Sequence, residues 1–158
     1  MVKKKILFVC TGNSCRSVMA EGLLQDLLNK RGHNDVQVLS AGTNTFNGMP
    51  PSAETVAVMK ENSIDIARHV GQQLTTLLIE RADLIFCMEE FHMKQILDAV
   101  PEAKPKVFLL NAFENPTARH REIPDPIGRS AKVYQVCRDV ILEAVTRVAD
   151  WIEKHQGE

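Results

Sequence analysis

Apolar residues in this chain form two kinds of pattern. Short apolar runs cover residues 6–10, 36–39, 84–88 and 107–110, broken only by Gln37 in the second. Continuous rather than alternating hydrophobicity marks strands covered on both faces, as in a parallel sheet. Between these runs, apolar positions recur at three- and four-residue steps. Met19, Leu23, Leu24, Leu27 and Leu28 share one helical face, and Lys30, Arg31 and Gly32 supply a C-terminal signal. A second helix starts near Ser52, after two prolines, and carries Val56 and Met59. A third is predicted over 76–81 and a fourth over 90–99. The longest carries Val133, Val136, Val140, Ile141, Ala144, Val148, Trp151 and Ile152, with Ser130 as its N-cap. Strands alternating with helices predict βαβ units. The expected fold is α/β: a single domain over 1–158, with a central parallel four-stranded sheet and helices on both faces.

Composition narrows the function classes. A chain of 158 residues can build its own hydrophobic core. A net charge of -1 and no basic stripe argue against a nucleic-acid partner. Lys3, Lys4 and Lys5 precede an apolar run of only five residues, too short for a signal peptide. No run approaches the ~20 apolar residues of a spanning helix. A cytoplasmic monomer with no membrane partner is expected. With a sufficient core and no sign of secretion, the default for Cys87 and Cys137 is buried small hydrophobes. No Cys/His spacing suggests zinc, and no cofactor is expected.

In open α/β sheets ligands lie beyond the carboxyl ends of the strands. The first such end reads Cys10-Thr11-Gly12-Asn13-Ser14-Cys15-Arg16-Ser17, with a helix beginning near Arg16. Gly12 and Asn13 tolerate positive φ, so backbone N–H groups can turn inward. Such a nest at a helix N-terminus binds anions. Arg16 adds a planar fork suited to two phosphate oxygens. The same positive surroundings favour Cys10 as a thiolate, a nucleophile facing a bound phosphate. The bland alternative is a buried strand-end cysteine and a surface arginine. Neither GxxxxGK[ST] nor GxGxxG occurs, which weakens a nucleotide-binding reading.

Cys-x5-Arg-Ser between a first strand and a first helix is the signature of cysteine-dependent phosphatases. With CTGNSCRS, Ser40-Ala41-Gly42, Ala82-Asp83-Leu84 and Asp125-Pro126, the chain resembles the bacterial low-molecular-weight protein tyrosine phosphatases over nearly its whole length. Val18 departs from the proline usual in that family after Arg-Ser. Proline is favoured at a helix start but not required there.

Asp125 sits between two prolines in a long segment, 111–129. On its own it reads equally as a general acid or as a turn aspartate capping the next helix. The resemblance implies the acid: Asp125 protonates the leaving group, then activates water against a phosphocysteine. It also implies that Thr11, Gly12, Asn13, Ser14, Cys15 and Ser17 form a phosphate-binding loop. In that loop Ser17 donates to Cys10 and Asn13 fixes the turn, with Ser40 and His69 holding it. His33, His92, His120 and His155 show no pattern and read as surface. Cys15 resembles the partner of a reversible disulfide that protects the nucleophile.

For the pocket mouth the resemblance indicates Ser14, Phe46 and Ile127. Phosphotyrosine on a protein is the leading substrate. Ser14 stands where tyrosine-directed members carry a bulky aliphatic and where protein-arginine phosphatases carry a small hydroxyl residue, so phosphoarginine is the alternative. Arsenate reductases share the loop but need two relay cysteines. A non-catalytic phosphate-binding or redox module is the non-enzymatic reading.

Overall fold

The computed structural model describes residues 3–156. The elements are β1 Lys4–Cys10, α1 Arg16–Lys30, β2 Val36–Gly42, α2 Ala53–Lys60, α3 Thr76–Arg81, β3 Leu84–Cys87, α4 Glu90–Ala99, β4 Val107–Leu109 and α5 Ala131–Lys154. Short 3-10 turns cover Pro101–Lys106 and Leu110–Ala112. Every apolar run became a strand and every periodic segment a helix. Ser52, Thr75 and Ser130 accept the backbone N–H groups of Thr55, Leu78 and Val133, satisfying donors that α2, α3 and α5 would otherwise leave free. Gly32, at φ 75°, ends α1, where the N–H of His33 returns to the carbonyl of Leu28. β1 and β2 extend beyond their apolar runs because Lys4 pairs with Val36 and Cys10 with Gly42 along one unbroken register.

The sheet order is β2-β1-β3-β4, and all pairings are parallel. Side chains alternate between faces along each strand. Ile6, Phe8 and Cys10 point to the face covered by α1, α2 and α5, and Leu7 and Val9 to the face covered by α3 and α4. Cys87 lies in β3 and Cys137 in α5, both buried. Phe86 anchors the first face. Its ring lies 5.7 Å from Phe8 and 4.9 Å, edge to face, from Phe113, which in turn meets Trp151 of α5 at 5.9 Å. The chain leaves β1 toward β2 and returns through β3 on the other side. The switch point therefore falls between the carboxyl ends of β1 and β3. No helix among the described residues is long and apolar enough to cross a membrane. Phe86→Ala should lower stability by about 3–5 kcal/mol, read as a reduced urea midpoint.

Candidate active site

The residues after β1 form a loop whose carbonyls are held from outside. The N–H groups of Thr43, Asn44 and Ser52 donate to the carbonyls of Cys10, Thr11 and Ser14 at 2.9, 3.0 and 3.0 Å. A planar trans peptide points its C=O and N–H in opposite directions. Carbonyls turned outward therefore turn the N–H groups of Thr11, Gly12 and Cys15 inward. Gly42 permits this approach, since a Cβ there would lie 2.5 Å from the Thr11 carbonyl oxygen. The loop ends on the first turn of α1, whose N-cap, Cys15, makes no side-chain cap, so the helix dipole also faces the cradle.

Asn13 holds the turn at φ 52°. Its Nδ2 donates to Ser17 Oγ at 2.8 Å and to Ser40 Oγ at 2.9 Å, and its Oδ1 accepts from the N–H of Gln72 at 3.0 Å. Ser40 donates onward to Glu21 at 2.6 Å. Because Ser17 Oγ already accepts from Asn13, its own proton is free to go to Cys10 Sγ, 2.9 Å away. That proton would steady a thiolate.

Arg16 is fully buried in α1. Its Nη1 donates to the carbonyl of Ile123 at 2.7 Å and lies 3.3 Å from the carboxylate of Glu89; its Nη2 lies 3.8 Å from Asp125 Oδ2. A buried guanidinium needs such partners. Asp125 is 43% exposed, and its Oδ1 accepts from the N–H of Ile127 at 3.0 Å, which fixes the carboxylate against the loop. Cys10, Thr11, Gly12, Ser14, Cys15, Arg16, Asp125 and Ile127 enclose a cavity of about 110 Å³. All four cysteines are free thiols, and the Cys15 sulfur is 3.3 Å from Ser52 Oγ.

Three expectations need correction. Phe46 is 58% exposed and is not among the residues that enclose this cavity. His69 bonds neither Asn13 nor Ser40, and its Nε2 has no hydrogen-bond partner among the described residues. The segment supports the loop through Gln72 instead, whose Nε2 also donates to the Ser40 carbonyl at 3.0 Å. His92, expected at the surface, is fully buried at the start of α4. Its Nε2 is 2.9 Å from Thr11 Oγ1, and its Nδ1 accepts from the N–H of Glu89. Glu21, Gln72, Glu89 and His92 went unrecognised in the sequence. Met88-Glu89 follows directly on the strand beside β1, and that position at the switch point was the available signal.

The fold and loop together define a class: parallel α/β proteins that carry Cys-x5-Arg-Ser between the first strand and first helix. Within it, the low molecular weight phosphotyrosine protein phosphatase family matches residues 5–157, and the chain belongs to that family. It is 38% identical to a protein-arginine-phosphatase of Geobacillus stearothermophilus, over 96% of this chain and 98% of that protein. It is 31% identical to the low molecular weight protein-tyrosine-phosphatase Wzb of Salmonella typhi, over 97% of each. The solved structure of the YwlE arginine phosphatase from Geobacillus stearothermophilus superposes with a TM-score of 0.87 at 36% identity, covering 97% of this chain and 95% of that one.

Burial, and then the positive charge of Arg16, lowers the His92 pKa from 6.5 to about 4. The ring is therefore neutral at pH 7. The unfolded chain takes up a proton near 6.5 that the folded chain accepts only near 4. The contribution to stability is complete above the upper value and is lost as pH falls through this window, by on the order of 3 kcal/mol. Urea midpoints measured across pH 7 to about 4 should fall more steeply in the wild type than in His92→Gln, which carries no ring to protonate.

Proposed function

We propose that the chain is a cysteine-dependent protein phosphatase that hydrolyses phosphotyrosine through a phosphocysteine. The observation that carries this reading is the cluster of Cys10, Ser17, Arg16 and Asp125 around one small cavity beneath inward-facing amides. Cys10 Sγ attacks phosphorus as the bond to the leaving oxygen breaks, and Asp125, protonated, gives that oxygen its proton. Arg16 and the loop amides bind the equatorial oxygens, where charge is held in the transition state. Asp125, now a carboxylate, takes a proton from water as the water oxygen attacks the phosphocysteine. Sulfur leaves as a thiolate that accepts from Ser17. Phosphate is released and Asp125 is again protonated.

The substrate is a phosphorylated protein, and the reading extends to a cytoplasmic monomer acting through a single domain over residues 1–158. The match across residues 5–157 supports that extent. A relay to further cysteines finds no support. Burial raises the Cys87 thiol far out of the reactive range and pushes Cys137 up to about 12.

Phosphoarginine is the second reading, favoured by the cavity wall. Ser14 lines it, Phe46 does not, and Ile127 is its one large apolar residue. A flat phenol ring finds little to stack on there, whereas a slender guanidinium has a hydroxyl and a carboxylate nearby.

Cys10→Ser should abolish hydrolysis while retaining phosphate binding, as measured by turnover and calorimetry; retained turnover would remove Cys10 as the nucleophile. Asp125→Ala should slow esters with poor leaving groups by about 10²–10⁴-fold and activated aryl esters far less. Equal slowing would remove Asp125 from the acid role. Turnover of phosphotyrosine, phosphoserine and phosphoarginine peptides, compared between wild type and Ser14→Ile, decides the leaving group. A phosphotyrosine preference unchanged by Ser14→Ile would defeat the arginine reading.

A further inference from the structure

His92 is fully buried beside the cavity, yet the reaction above gives it no task. Both ring nitrogens are engaged. The backbone N–H of Glu89 donates to Nδ1 at 3.1 Å. An amide N–H cannot accept, so Nδ1 must present a lone pair, and the single proton of the neutral ring sits on Nε2. Nε2 lies 2.9 Å from Thr11 Oγ1 and therefore donates to it. The Thr11 hydroxyl accepts this bond, so its own proton points away from the imidazole. Thr11 lies on the wall of the cavity it shares with Cys10, Arg16 and Asp125. The ring is also held in place: His92 is the third residue of α4, inside a capping box with Glu89, and its ring centroid lies 4.2 Å from that of Phe91.

We propose that His92 is a positioning residue: by occupying the acceptor side of Thr11 Oγ1, it turns the Thr11 hydroxyl proton into the cavity, where it donates to a phosphoryl oxygen. The identity of the bound group rests on the phosphatase reading. The proposal adds a side-chain donor to the backbone amides of the loop, and a residue that acts only through another. A hydroxyl whose rotor is already set needs little reorganisation when phosphate arrives. The turn from β3 to α4 then serves the site twice, holding Arg16 through Glu89 and Thr11 through His92.

The test is a double-mutant cycle of Thr11→Val and His92→Leu in the full chain, with His92→Gln as the conservative variant whose amide can still donate to Thr11. The readouts are inhibition of aryl phosphate hydrolysis by inorganic phosphate and kcat/KM for the aryl phosphate. Thr11→Val should weaken phosphate inhibition by about tenfold, the loss expected for one hydrogen bond to a charged group. His92→Leu should weaken it in the same direction, and His92→Gln should recover most of that loss. In the Thr11→Val background, His92→Leu should add less than about twofold, because coupled residues do not lose independently. Unchanged inhibition in Thr11→Val, losses that multiply in the double variant, or His92→Gln no better than His92→Leu would each overturn the proposal. If His92→Leu does not fold, Thr11→Val against Thr11→Ser decides alone, and equal phosphate affinities overturn it. If the wild type hydrolyses neither aryl phosphates nor phosphoarginine peptides, the phosphatase reading fails. Calorimetric binding of inorganic phosphate to the same variants still reads the Thr11 donor.

Discussion

The site depends first on the conformation of Asn13. At φ 52° it occupies a region that few side chains other than glycine tolerate, and asparagine is among those that do. The cost is offset because its carboxamide is bonded on three sides, to Ser17, Ser40 and the backbone of Gln72. Those bonds join the loop to α1, to β2 and to the strand-like segment beyond α2. They also settle a proton: with Ser17 already accepting from Asn13, the only proton Ser17 has left faces Cys10. A backbone constraint at one residue thus sets both the direction of the loop amides and the donor beside the nucleophile.

The second support comes from the far side of the switch point. The turn after β3 is tied to β1 by the N–H of Met88 on the Val9 carbonyl, and to the Asp125 segment by the N–H of Ile123 on the Met88 carbonyl. Its side chains then divide the work, Glu89 against Arg16 and His92 against Thr11. This gives a physical reason for a buried arginine. Its charge is met by two carboxylates and one carbonyl supplied by two segments far from it in sequence, which are tied to each other by the backbone bond from Ile123 to Met88 and by the Glu122 carboxylate accepting from the N–H of Glu90. The candidate acid is positioned by the same turn, so Cys10, Arg16 and Asp125 share one framework.

The rim of the cavity is built from what the framework leaves there. At the two ends of the outer loop from 43 to 52, the N–H groups of Thr43, Asn44 and Ser52 are committed to the carbonyls of Cys10, Thr11 and Ser14. Between them Phe46 is exposed and is not among the residues that enclose the cavity. The wall is left to Ser14 and Ile127, two side chains of very different size from an aromatic stack. Membership of a family that includes tyrosine- and arginine-directed relatives is consistent with a common reaction core and a rim that varies.

The local features of this protein were legible in its residues because their causes are local. Short apolar runs became strands, three- and four-residue steps became helices, and Ser52 and Ser130 capped where their side chains could reach the next N–H groups. The loop from Cys10 to Ser17 was legible for the same reason: the candidate nucleophile, turn residues, candidate clamp and helix start are contiguous in the chain. What holds the loop was not. Glu21, Gln72, Glu89 and His92 come from three separate segments, and His69 was assigned a part that belongs to Gln72, three residues on. No periodicity or spacing encodes such contacts. They exist only because the order β2-β1-β3-β4 brings the carboxyl ends of β1 and β3 side by side, where a charged or hydrogen-bonding side chain must find a partner before it can be buried. The sequence by itself determined which residues could form a phosphate cradle; the tertiary structure decided which others orient it.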